Sequence, residues 1–167
     1  FRLAEDTGEA AVAEAVDALA GRLSAVRLPV ISLTRIGRFF ALQPAIPHGG
    51  IQAFAGDVVE ALEPYRAAPS EGELARRRMA GLSPRQDALL TRWGYPYVFD
   101  EFRFHMTLTG PVADDRAAAV EAALQTHFEP VLGRSLTVDR LCLFVQEAPG
   151  APFVMRQAFP IRRPIGA

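Results

Sequence analysis

The stretch Glu101-Phe-Arg-Phe-His-Met-Thr-Leu-Thr-Gly110 alternates apolar and polar residues without a break. In a strand, successive side chains point to opposite faces. Phe102, Phe104, Met106 and Leu108 then make one face that must be buried, and Arg103, His105, Thr107 and Thr109 make the other. A chain with such a segment has to build a sheet with one side against a core. The polar side combines a planar fork of donors, two hydroxyls and an imidazole, which together suit a phosphate group. Periodicity alone leaves two meanings open: a phosphate-handling site, or a polar face that merely meets water.

The 167 residues as a whole are 50% hydrophobic and 22% charged, a globular composition. That length suffices for one domain or two small lobes sharing a core. Net charge is -1, which argues against a general nucleic-acid or membrane-surface partner. All 18 basic residues are arginine, so Schiff-base lysine chemistry is excluded. The single Cys142 rules out an internal disulfide and any multi-cysteine zinc site; flanked by Leu141, Leu143 and Phe144, it reads as a buried structural thiol. No run approaches the roughly 18 apolar residues that would span a bilayer. The expected location is the cytoplasm. Because the chain opens on Phe1 and not on methionine, its true beginning is expected to lie upstream.

Hydrophobic spacing predicts a helix over 8–23 with Val12, Val16, Leu19 and Leu23 on its buried stripe. Strands are expected over 27–35 and 38–43, joined tightly at Ile36-Gly37. An amphipathic helix over 51–65 follows a Pro/Gly-rich loop containing His48. Ser70-Glu-Gly-Glu73 and Ser83-Pro-Arg-Gln86 are capping boxes that open two short helices, the second halted by Gly94 and Pro96. The 102–109 strand is followed by an Ala-rich helix over 114–132 and strands over 135–146 and 153–160, turned at Pro149-Gly150. The order strand, helix, strand, strand in the second half is matched in the first half, except that the opening strand is missing. Its counterpart would lie just before Phe1.

His105-Met-Thr107-Leu108 resembles the His-x-Thr/Ser-hydrophobic motif of the 2H phosphoesterases, the RNA-ligase-like cyclic phosphodiesterases. The nineteen-residue context from Arg92 to Gly110 is similar to a narrower branch associated with bacterial phosphonate-utilisation genes. So are Leu74-Ala-Arg-Arg-Arg78, Leu82-Ser-Pro-Arg-Gln86 and Gln146-Glu-Ala-Pro-Gly-Ala-Pro-Phe153. The resemblance implies an α+β fold: two pseudo-symmetric lobes of antiparallel sheet with outer helices around a central cleft, the first lobe incomplete. It divides the chain into 1–50 (remainder of the first lobe), 51–94 (a helical insert) and 95–167 (the second lobe) within a single bilobal domain.

It also implies a metal-independent phosphoesterase or cyclic phosphodiesterase with no cofactor, acting on a small phosphorylated substrate, a ribosyl cyclic phosphate among them. His105 and Thr107 would be catalytic, and Arg103, Thr109, Tyr95 and Tyr97 would hold substrate or phosphate. Members carry two such motifs, one histidine acting as base and the other as acid. Here the first is expected upstream of Phe1, because in this branch it precedes a Pro-Phe-Arg-Leu-like segment and this chain opens on Phe1-Arg2-Leu3. The competing reading is a phosphate- or nucleotide-binding module of the same fold without turnover; a third is a dimer whose other chain supplies the strand. No oligomeric state is implied. His48 reads as a surface-loop residue and His127 as a helix-end residue favoured by the dipole. Glycine-rich phosphate loops and Ser-His-Asp orders are absent from the sequence.

Overall fold

Local sequence signals set most helix boundaries in the computed structural model, which describes residues 1–164. The first helix, α1 (Glu9–Arg22), buries Val12, Val16 and Leu19, as the spacing predicts, together with Ala20; Leu23, just past its end, is buried too. β1 (Val26–Ile36) and β2 (Phe39–Pro44) form an antiparallel hairpin in which Ile36 pairs with Phe39. Its two-residue loop begins with Gly37 at φ +57°, the positive φ that a tight hairpin of this length demands. α2 (Gly49–Leu62) follows, continued by one 3₁₀ turn to Tyr65.

Both capping boxes form as the sequence predicts. In α3 (Glu71–Arg78) the Ser70 hydroxyl accepts from the Glu73 amide, and the Glu73 carboxylate accepts from the Ser70 amide at 2.7 Å. In α4 (Pro84–Trp93) Ser83 and Gln86 make the same exchange. Arg2 adds a fork to Glu73, with nitrogen–oxygen distances of 3.3 and 2.9 Å. The Arg2 hydrogen bond, helped by the Ser70 amide and hydroxyl, lowers the Glu73 pKa from 4.5 to about 2. A carboxylate with a depressed pKa stabilises the fold above its unfolded value, and that contribution is lost as pH falls toward the folded value. Thermal melts of wild type and Glu73→Gln should therefore differ above pH 5 and converge as pH falls toward 2. A gap that does not change with pH would show that the Arg2 latch contributes nothing.

Gly94 ends α4 in the left-handed region at φ +71°, its amide bonded to the Leu90 carbonyl at 2.8 Å. A Cβ there would lie 2.7 Å from an Arg66 guanidinium nitrogen. Arg66 has little room to yield, because Glu63 holds it at 2.9 and 2.7 Å. Gly94→Ala should cost at least about 1–2 kcal/mol from φ alone. Chemical denaturation would measure it; an unchanged midpoint would contradict the cap.

After a single 3₁₀ turn at Phe99–Glu101, the chain runs through β3 (Met106–Thr107) to α5 (Asp114–Phe128) and β4 (Ser135–Val138), then makes the hairpin of β5 (Arg140–Val145) and β6 (Val154–Pro160). The fold class is α+β, as expected, with five α-helices among the described residues. One sheet has the order β3-β2-β1-β4; the other is β5-β6.

Three expectations are corrected. The ladder over 102–109 is confined to Met106 and Thr107, because β2 offers partners only at Leu42 and Ala41. The single strand over 135–146 is two strands in different sheets, parted at Asp139, whose carboxylate is held by Arg140 at 2.8 Å. Cys142 is exposed, not buried: Leu141 and Leu143 turn toward Val12, Val16, Ala20 and Phe159, so the thiol between them takes the opposite face.

The chain forms two compact units, each drawn from separate segments. One comprises Phe1–Val26, Gln52–Phe102 and Asp139–Ala167, and its core joins α1 to the β5–β6 hairpin. The other comprises Arg27–Ile51 and Arg103–Val138, with the four-stranded sheet and α5. In the latter, Leu28, Ile31, Phe40 and Leu42 are buried. No helix among the described residues is long and apolar enough to cross a membrane.

Candidate functional site

The alternation around His105 holds although the ladder is short. Phe102, Phe104, Met106 and Leu108 are half-buried, while Arg103, His105 and Thr107 are exposed. Thr107 pairs with Ala41, and the Leu108 amide donates to the Phe40 carbonyl at 2.9 Å, which fixes the face that each side chain takes.

His105 Nδ1 lies 2.8 Å from the Arg103 carbonyl oxygen. A carbonyl only accepts, so in the neutral imidazole Nδ1 is the protonated nitrogen and Nε2 the one with a lone pair. The backbone thus selects the tautomer of a base whose free nitrogen is on an exposed side chain. The Phe39 ring flanks the imidazole at 5.8 Å between centroids. Arg103 makes no ion pair among the described residues.

Thr109 also has a structural task. Its hydroxyl accepts from the Phe40 amide at 3.0 Å, satisfying a donor where the ladder has ended. Thr109→Val keeps the shape and removes the acceptor, so it should cost about 1–2 kcal/mol. Faster hydrogen exchange at the Phe40 amide would report the loss; unchanged protection would refute it. Nearby, Arg35 binds Asp114 in the first turn of α5 at 2.6 Å and holds that carboxyl below its ordinary range.

Tyr95 and Tyr97 belong to the other unit. They stack edge to face at 5.6 Å, both partly exposed, and the Arg77 guanidinium sits 5.0 Å above Tyr95. Trp93 meets Phe99 at 4.9 Å and the Arg92 guanidinium at 4.3 Å. Of the arginine run, Arg78 is engaged by Asp87 at 2.6 Å. His48 is more than a loop residue, since its Nδ1 accepts from the Ile51 amide at 3.4 Å and caps α2. His127 lies in the last turn of α5, as expected. Among the described residues, no three His, Cys, Asp or Glu side chains converge as metal ligands.

The register adds residues that sequence reasoning missed. Thr34 pairs with Ala41, which pairs with Thr107; Ser32 pairs with Gln43. Paired residues share a face, so Ser32, Thr34 and Gln43 lie on the same side of the sheet as His105 and Thr107. The available signal was the alternation Ile31-Ser-Leu-Thr34 within β1.

Fold and site together define an α+β protein with a His-x-Thr strand on a polar sheet face. Residues 1–154 match the family described as "Protein of unknown function (DUF1045)", and the chain belongs to that family. Among curated proteins it is similar to "Ribose 1,5-bisphosphate phosphokinase PhnN" of Janthinobacterium sp. (strain Marseille), 38% identical over 164 residues, covering 96% of this chain and 36% of that protein. The protein of the same name from Laribacter hongkongensis (strain HLHK9) is 35% identical over 153 residues, covering 92% and 35%. The chain therefore spans about a third of the length of these relatives. No solved structure matches it.

Proposed function

We propose that this chain is the working part of a 2H-type phosphoesterase, a metal-independent cyclic phosphodiesterase acting on a small ribosyl phosphate in phosphonate metabolism. The observation that carries the reading is His105: its Nδ1–H is tied to the Arg103 carbonyl and its Nε2 is free, two residues from the exposed Thr107. In the reaction, Nε2 takes a proton from water as the water oxygen attacks phosphorus. The phosphorus bond to one ring oxygen breaks as a general acid protonates that oxygen, a role that the 2H resemblance gives to a second histidine. The product is a phosphomonoester with a free hydroxyl. Arg103 and Thr107 offset the charge that builds on the phosphoryl oxygens.

A topological parallel supports a second motif strand. In one unit β3 lies on β2, the second strand of the β1–β2 hairpin, and leads into α5. In the other, the outer edge of β6, the second strand of β5–β6, has no partner among the described residues, and α1 packs on that hairpin. The segment that leads into α1 lies elsewhere, Leu3 bridging to Arg66 and the Ala4 amide donating to the Tyr65 carbonyl at 2.9 Å, so a second motif strand on β6 would have to come from outside these 167 residues.

The kinase name of the relatives refers to proteins about three times as long. It fits this stretch poorly, because a phosphate loop needs its Gly-rich turn and lysine, and this chain has no lysine. The ribose phosphate in that name supports the choice of a ribosyl substrate. The test uses the full-length gene product, excess chelator and a panel of 2′,3′- and 1,2-cyclic phosphates. Hydrolysis that is lost in His105→Ala supports the enzyme. Tight binding with no turnover of any member would make the protein a phosphate-binding module instead.

A further inference from the structure

Residues 95–98 alternate in exposure: Tyr95 and Tyr97 are 44% and 41% exposed, whereas Pro96 and Val98 are buried. Those two anchors, and the left-handed Gly94 that closes α4, fix the backbone from which both rings project. The rings meet edge to face at 5.6 Å. Beside them, Arg78 pins the last turn of α3 to α4, binding Asp87 at 2.6 Å and the Thr91 hydroxyl at 3.3 Å. The next guanidinium, that of the exposed Arg77, lies 5.0 Å over the Tyr95 ring. All of these residues belong to one unit. Among the described residues, the Arg77, Tyr95 and Tyr97 side chains make no hydrogen bond, and Arg77 makes no ion pair. A ring attracts a cation without supplying a lone pair, so the guanidinium donors and both phenol hydroxyls are left for an outside partner.

We propose that Arg77, Tyr95 and Tyr97 bind a mononucleotide, its base against the tyrosine rings and its phosphate on Arg77. A nucleobase is flat, and every base has a π-face that stacks on aromatic side chains. A phosphate supplies the oxygens that a guanidinium fork engages. Simpler ligands match only half of the cluster: a sugar phosphate leaves the rings without a partner, and an uncharged aromatic leaves the arginine without one. The net charge of -1 disfavours long nucleic acid, whose binding draws on many cations at once. Because buried neighbours already hold the rings in place, binding costs little ordering of the protein. The site is independent of His105, which belongs to the other unit.

Photolabelling of the full-length protein with 8-azidoadenosine 5′-monophosphate tests this, because it reports where the nucleotide sits. Cleavage after arginine releases Trp93–Arg103, a peptide that carries both tyrosines. Label is expected on Tyr95 or Tyr97, and AMP should protect them at about a tenfold lower concentration than ribose 5-phosphate, which lacks the base. Arg77→Gln should raise the protecting concentration of AMP about fivefold and leave that of adenosine, which lacks the phosphate, unchanged. The label should persist in His105→Ala. A peptide without label, equal protection by AMP and ribose 5-phosphate, or an Arg77→Gln response that is the same for AMP and adenosine would overturn the nucleotide platform and leave the phosphoesterase reading untouched. Label that disappears in His105→Ala would overturn it as a separate site, by assigning the tyrosines to the phosphate site.

Discussion

His105→Ala should lower the rate of cyclic phosphate hydrolysis about 100- to 10,000-fold, the range that one general base supplies, while leaving the melting temperature within a degree or so. The large first effect follows from Nε2 being the nitrogen left without a hydrogen bond on an exposed imidazole that its own backbone orients. The small second effect follows from exposure: the ring fills no core, and its hydrogen bond to Arg103 is local. His105→Gln should be nearly as inactive, because an amide can keep a hydrogen bond to the carbonyl but cannot take a proton at neutral pH. Thr107→Val should lose less, about tenfold, since a hydroxyl that donates to phosphate is one donor among several. Steady-state kinetics in excess chelator would establish the order. A fully active His105→Ala would remove the histidine from the chemistry and with it the enzyme reading.

How much of this was legible depended on whether a feature is local. Capping boxes at Ser70/Glu73 and Ser83/Gln86, the buried stripe of α1 and the stop at Gly94 are settled within four residues, and the structure has all of them. The alternation from Phe102 to Leu108 also survived, because a pleated chain presents its faces whether or not a neighbour bonds to it. Hydrogen-bonded length is a different matter. It depends on what lies opposite, and β2 pairs with only two residues of the segment. The run from Ser135 to Gln146 looked like one strand for the same reason: β-propensity does not say which sheet a residue joins. At Asp139, a poor strand former, the chain leaves one sheet and enters the other.

Side-chain direction in a strand is equally non-local. Cys142 sits among apolar neighbours in sequence, yet it lies one residue from each inward position and so points out. Ser32, Thr34 and Gln43 escaped notice because their relation to Thr107 passes through Ala41, and only the register supplies that link. Thr109 shows the converse. Its residue type suited a phosphate ligand, but the position just beyond the ladder recruits its hydroxyl to the Phe40 amide. Accepting that bond still leaves the Thr109 O–H free to donate.

Phe40 is where fold and site meet, and Phe40→Ala should be the most destabilising single change in the unit that carries β3. Its ring is fully buried, and truncating a buried phenylalanine costs about 3–5 kcal/mol. For a chain of this size that is a fall in melting temperature of roughly 10 °C, and a large fraction of the 5–15 kcal/mol that holds an ordinary domain together. The damage should reach the site by a short route. The Phe40 carbonyl receives the Leu108 amide, its own amide binds Thr109, and Arg35 lies 6.0 Å over its ring while holding Asp114. A two-residue ladder has no reserve, so a cavity beneath β2 should free the β3 segment and loosen His105. Phe40→Leu, which refills most of the space, should keep most of the stability and activity. Denaturant melts together with hydrogen exchange at the Leu108 amide decide the matter. A cost below about 1 kcal/mol, with Leu108 still protected, would mean that β3 is held by something other than the core behind Phe40.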